Sequence, residues 1–134
     1  MENSKHTQIS PFACDMTAIP PSERGQHVAA IQEVFGAVEE IRDLPDGYSF
    51  RLENTTTLLV KVLDFIAKER ACCPFFGFAV QIEPEGGALW LSLTGREGVK
   101  PFIRAEIGHA VADAVAQAAG FKGLGTYVGK ICRP

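Results

Sequence analysis

The stretch VLDFIAKERACCPFFGFAVQI, residues 62–82, changes its hydrophobic period halfway along. Up to Ile66 the apolar residues Leu58, Leu59, Val62, Leu63, Phe65 and Ile66 recur at helical spacing, which predicts a helix over 55–71 with Asn54 as its N-cap. Beyond Pro74, residues Phe76, Phe78, Val80 and Ile82 alternate, as one face of a strand does. Pro74 ends the helix and pushes Cys73 toward extended geometry, because the proline ring crowds an α conformation in the residue before it. A helix-to-strand junction is therefore expected here, and it carries two adjacent thiols, Cys72 and Cys73.

Working outward from the junction, each side shows a hairpin. Upstream, Pro45-Asp46-Gly47 is turn chemistry, with Pro presetting one position and Gly accepting positive φ. It divides a strand near 37–44 from one near 48–52. Before them, Pro21 and Ser22 open a helix with Val28, Ile31, Val34 and Phe35 on one face, ending near Gly36. Downstream, Pro84-Glu85-Gly86-Gly87 forms a turn, and Leu89, Leu91 and Leu93 alternate. A last apolar face, Val99, Phe102, Ile103, Ile107, Ala110, Val111, Ala114, Val115 and Ala118, predicts a helix over 99–119. Pro101 sits in its first turn, where a missing N–H costs nothing.

After the N-terminal helix the order is ββα-ββα. It implies an α+β layer architecture, an antiparallel four-stranded sheet with the helices packed on one face. The expected organisation is an irregular segment over 1–20, a single α+β domain over 21–120 and a glycine-rich tail over 121–134. The 134 residues suffice for one domain. With 46% hydrophobic residues, a core can form without help from a metal.

The net charge of −3 and scattered basic residues argue against a nucleic-acid partner. No apolar run approaches the ~18 residues of a membrane span. The N-terminus has no signal-peptide pattern, so the expected location is cytoplasmic, where Cys14, Cys72, Cys73 and Cys132 are expected to be reduced.

A single cysteine is more often a small buried hydrophobe than a ligand. An adjacent pair at a proline-fixed junction is different: both sulfurs sit at one defined edge of the sheet. Cys14 lies in a loop that can fold over that edge. Three converging thiolates suit a soft ion such as Hg(II), As(III) or Cu(I). Zn(II) fits less well, since there is no C-x-x-C and no partnered His pair. Asp15, beside Cys14, offers an oxygen ligand or a proton-transfer group, and Cys132 offers a fourth sulfur. The C-terminal end of a helix disfavours a thiolate, whereas Arg70 and Lys68 supply nearby positive charge.

The pattern resembles a group of small bacterial proteins that share an N-terminal Cys, LPDGY, E-R-x-C-C-P-F and L-T-G-x-x-G-V-K. Here these read Cys14, LPDGY at 44–48, Glu69 to Phe75, and LTGREGVK at 93–100. Related segments accompany regulators of heavy-metal resistance. The resemblance covers roughly residues 14 to 103 and implies soft-metal handling, with Cys14, Cys72 and Cys73 at the matching positions. The expected function is thus sequestration or delivery of a thiophilic metal. The rival readings are an organomercurial-cleaving enzyme, in which Asp15 protonates the leaving carbon, and a thiol redox protein.

Other features read as structural. Gly95, Gly98, Arg96 and Lys100 resemble a helix-start anion site, but the glycines serve equally as a strand-to-helix turn. GLGTYVGK, residues 123–130, fails the spacing of a phosphate loop. His6, His27 and His109 share no metal spacing and read as surface or helix-face residues. If Phe75 faces outward, it marks a homodimer surface or a hydrophobic rim around the thiols.

Overall fold

The computed structural model describes residues 11–121. The chain runs through α1 (Arg24–Gly36), β1 (Glu40–Leu44), β2 (Gly47–Leu52), α2 (Thr56–Cys72), β3 (Gly77–Ile82), β4 (Leu89–Thr94), α3 (Val99–Ile107) and α4 (Asp113–Ala118). All pairings are antiparallel, in the strand order β1-β2-β4-β3.

The register sorts the side chains. Ile41, Phe50, Leu91 and Val80 line up across the four strands, and Tyr48, Leu93 and Phe78 form the next row on the same face. Every helix reaches this face. Phe35 of α1 meets Phe50 edge-on at 5.1 Å, and Phe65 of α2 meets Phe78 at 6.3 Å. Arg104 of α3 donates to the Tyr48 hydroxyl, and Phe121, just past α4, packs on the Tyr48 ring at 4.9 Å. The expected α+β arrangement, with helices on one face, is the one observed. On the opposite face, Arg42 lies over Trp90 at 4.0 Å, and Ser92 donates to Ser49.

The β1–β2 turn falls where Pro45-Asp46-Gly47 was expected, but it is a two-residue turn: Gly47 belongs to β2, pairs with Leu44 and is not at positive φ. Gly47 is obligatory for a packing reason: a Cβ there would overlap the carbonyl of Leu93 on β4.

Three details differ from expectation. The cap of α2 is Thr55, not Asn54: the Thr55 hydroxyl accepts from the Leu58 N–H at 3.1 Å, while Asn54 reaches across to the Gly87 carbonyl. Leu63 is half exposed rather than in the core, because α2 packs through Val62 and Phe65 and turns Val60 and Leu63 outward.

The predicted 99–119 helix ends at Ile107, turns through Gly108–Ala110 and resumes as α4. A straight helix of that length would run ~31 Å, well past strands of ~20 Å. Breaking at Gly108 lets Val111 and Ala116 fold back into the core.

Residues 11–20 are ordered against the domain. Met16–Ala18 and Pro21–Glu23 form single 3-10 turns, and Met16 and Ile19 are buried in the core.

Candidate metal centre

Three segments build the centre. The last turn of α2 supplies Glu69 and Cys72, three residues apart and so on one side of the helix. Cys73 follows as the helix stops. Its N–H still donates to the Glu69 carbonyl at 2.7 Å, but its φ of −131° and ψ of 69° have left helical geometry. Cys14 comes from the loop before the first 3-10 turn.

That loop is fastened on both sides of Cys14. The Phe12 ring sits edge-on to Phe75 at 5.2 Å and stacks on Phe102 at 5.8 Å, with the Arg96 guanidinium 4.1 Å from its centre. Beyond Cys14, the Asp15 N–H donates to the Cys72 carbonyl at 2.8 Å. Arg24 Nε then donates to the carbonyls of both Met16 and Ile19. Cys14 is thereby held above the vicinal pair.

The sulfurs of Cys14, Cys72 and Cys73 and a carboxylate oxygen of Glu69 all lie within 4.8 Å of one another, a group that can hold a metal ion. Glu69, Cys72 and Cys73 are fully buried, and Cys14 is half-buried. Cys72 Sγ and Cys73 Sγ are 3.7 Å apart. Two thiolates sharing one tetrahedral ion at ~2.3 Å each would stand about 3.8 Å apart, so the pair is spaced for a common ion.

The expectation of reduced thiols does not hold for all the cysteines. Cys14 and Cys73 form a disulfide, while Cys72 is a buried cysteine outside it. The docked loop brings the Cys14 and Cys73 Cα atoms to 4.9 Å, inside the range a disulfide requires. Cys132 lies outside the described residues, as does His6.

A further residue enters from α1. His27, expected as a surface or helix-face residue, lies on the buried face of α1, because α1 packs against α2 and stacks its imidazole on Phe65 at 5.9 Å. Its Nε2 lies 2.7 Å from Glu69 Oε1 and 4.0 Å from Cys72 Sγ. The Cys72 thiol in turn donates to Glu69 Oε1 at 3.5 Å. Burial by itself lowers the His27 pKa, but the hydrogen bonds and negative charges of Cys72 and Glu69 outweigh it and raise it from 6.5 to about 9. His27 is therefore cationic at neutral pH, with the Cys72 sulfur 4.0 Å away.

This charge replaces the cations expected from the sequence. Arg70 is exposed and donates to the Ala67 carbonyl, and Lys68 is paired with Asp64 and Glu23.

Asp15 also has a different place. It is exposed and caps the Met16–Ala18 turn, accepting from the Thr17 N–H and hydroxyl. Those hydrogen bonds hold its pKa below the usual carboxylate value. An ionised, hydrogen-bonded carboxylate is a cap, not a proton donor, so the role given to Asp15 in carbon–metal cleavage finds no support in its geometry. Phe75 is buried among Phe12, Phe76 and Phe102, which removes it as a dimer surface. Lys100 is engaged by Asp43 and the Leu44 carbonyl, in keeping with a structural strand-to-helix connection.

Glu69 and His27 are the residues that sequence reasoning missed. Glu69 had a signal, its three-residue spacing from Cys72. His27 had none, since it meets Glu69 across 42 positions. Among the described residues, no helix is long and apolar enough to cross a membrane. Comparison with family models, with curated proteins and with solved structures finds no match.

Proposed function

We propose that the protein binds one soft, thiophilic metal ion through Cys14, Cys72 and Cys73 in their reduced form, and sequesters or delivers it. The observation that carries this reading is the convergence of three sulfurs and the Glu69 carboxylate within 4.8 Å at a buried junction. A sulfur-rich set of this kind favours Hg(II), As(III) or Cu(I) over harder ions. The resemblance of the ERACCPF and LTGREGVK segments to proteins of heavy-metal handling points the same way.

The surrounding residues suit the chemistry of capture. A thiol must lose its proton to become a ligand. Cys72 already donates to Glu69, which is held by His27, so the proton has an acceptor beside it. Glu69 can then remain as a weak oxygen ligand or stay on His27. Burial of the pair excludes water and hard oxygen competitors.

The test is titration of the reduced full-length protein with Hg(II), As(III), Cu(I) and Zn(II), each in competition with a soluble dithiol. Equimolar binding is expected, and Cys72→Ser and Cys73→Ser should each weaken it at least 100-fold, with Cys132→Ser as the comparison. Unchanged affinity in the Cys72→Ser/Cys73→Ser double variant would overturn the reading.

A further inference from the structure

Cys14 and Cys73 are joined to each other, and both are also ligands of the proposed metal site. One sulfur cannot be half of a disulfide and a thiolate ligand at once. Oxidised, the centre offers a single thiolate, Cys72, with Glu69; reduced, it offers three.

Cys72 does not form the disulfide with its neighbour Cys73. Adjacent residues have Cα atoms about 3.8 Å apart, below the ~4.4–6.8 Å that an unstrained disulfide spans. Cys14 and Cys73, at 4.9 Å, fall within that span. Cys72 is therefore the constant ligand, and Cys14–Cys73 is the variable one. Exposure separates the two disulfide sulfurs as well: Cys73 is fully buried, and Cys14 is the half-buried partner on the loop.

We propose that the Cys14–Cys73 disulfide is a latch on the metal site, opened by thiol–disulfide exchange with a small external thiol that attacks Cys14 Sγ. The proposal rests on the metal-binding reading. The external thiolate bonds to Cys14 Sγ, the Cys14–Cys73 bond breaks, and its electron pair leaves with Cys73 as a thiolate. A second external thiolate attacks the external sulfur of the mixed disulfide and releases Cys14 as a thiolate. Two external thiols lose two protons and two electrons to become one small disulfide, and the protein gains the two electrons.

Cys73 is freed first, 3.7 Å from Cys72, so the vicinal pair is complete before Cys14 is released. Cys14 then closes over the ion. Its loop stays in place without the disulfide, held by Phe12 on Phe75 and Phe102 and by the Asp15 N–H on the Cys72 carbonyl. A small disulfide drives the reverse: it reoxidises Cys14 and Cys73 and expels the metal.

The experiment uses the full chain with Cys132→Ser, so that only the three described cysteines react. Cadmium(II) is titrated into protein reduced with dithiothreitol and into protein oxidised with glutathione disulfide, reading thiolate-to-cadmium absorbance and calorimetry. Peptide mapping verifies the Cys14–Cys73 bond. At least 100-fold weaker binding by the oxidised form is expected, with release of bound cadmium on adding glutathione disulfide. Acid quenching of oxidised protein shortly after adding glutathione should trap the mixed disulfide on Cys14 rather than on Cys73, and adding Cys14→Ser should abolish the redox dependence. Equal cadmium affinity in the two verified states would overturn the latch and leave the metal site standing. Trapping glutathione on Cys73 in preference to Cys14 would overturn attack at Cys14. Failure of the reduced protein to bind cadmium would overturn the metal reading and the latch with it.

Discussion

His27 Nε2 and Glu69 Oε1 stand 2.7 Å apart with neither side chain exposed, tying α1 to the last turn of α2 directly beside the Cys72 sulfur. This pair sets a pH dependence. The His27 pKa is 6.5 in the unfolded chain and about 9 in the folded one. A raised folded value means that the native state binds the proton more tightly, so this stabilisation is complete below about pH 6.5 and is lost as pH rises through about 9. Chemical denaturation of metal-free, oxidised protein from pH 6 to 10 should show that decline, and His27→Gln should flatten it. NMR titration of the imidazole gives the pKa directly; a value near 6.5 would mean that Cys72 and Glu69 do not hold the charge.

The same pair predicts a non-additive mutant cycle. Removing one member leaves the other a buried charge without its ion-pair partner, a change that typically costs about 3–5 kcal/mol. Glu69→Ala and His27→Ala should each destabilise the fold on that scale. His27→Leu with Glu69→Met removes both charges while keeping volume, and it should cost less than either single change. Urea denaturation of the four proteins measures the coupling, and simple additivity would show that the two side chains do not depend on each other.

Much of this architecture was legible because local signals agreed with the global packing. Pro74 and the change of period around it located α2, the junction and β3, and Pro45-Asp46 located the first turn. The break at Gly108 was not legible: apolar residues stay in helical register through Ala118, and only the finite length of the sheet forces the turn. Leu63 misled for a related reason, since its spacing fits a helix face wider than the one α2 buries. At the site, the vicinal thiols announced themselves by adjacency. Glu69 was legible in its three-residue spacing from Cys72, and Cys14 in its place on a loop able to reach that edge; His27 converges on them only through the packing of α1 on α2, and spacing carries no information about a contact across 42 residues.

Opening the disulfide should weaken the fold without abolishing it. Cys14 and Cys73 are 59 positions apart, and closing a loop of that length removes enough unfolded-state entropy to stabilise the native state by ~4 kcal/mol in the chain-entropy model. Reduction should lower the melting temperature by on the order of 10 °C. The melt should stay cooperative, because a contiguous core running from Met16 to Phe121 does not need the bridge. Added cadmium(II) should then raise the midpoint of the reduced protein, since a ligand that binds only the native state stabilises it by mass action. Calorimetry with and without reductant checks both steps. A reduced protein that melts without a cooperative transition would make the bridge indispensable to the fold.

Gly98 should control the site from a distance through Phe12. Its φ of +100° is a conformation that side chains resist, at ~1–2 kcal/mol for a residue with a Cβ. A Cβ at this position would also stand 2.7 Å from Phe12 Cε2. The Phe12 ring has little room to yield, packed as it is by Phe75 and Phe102 and covered by Arg96. Gly98→Ala must therefore displace the ring, and Cys14 lies only two residues further on. Hydrogen exchange at the Asp15 amide, which is bonded to the Cys72 carbonyl, should rise at least tenfold, while the amides in the middle of α2 keep their protection. Phe12→Ala frees the same loop without touching the Gly98 backbone, so it should speed the same amide and weaken cadmium(II) binding to reduced protein by a similar factor. If Gly98→Ala lowers stability but leaves both the Asp15 amide and the cadmium affinity unchanged, the loop is held by Met16, Ile19 and Arg24 alone, and the aromatic cluster has no part in positioning Cys14.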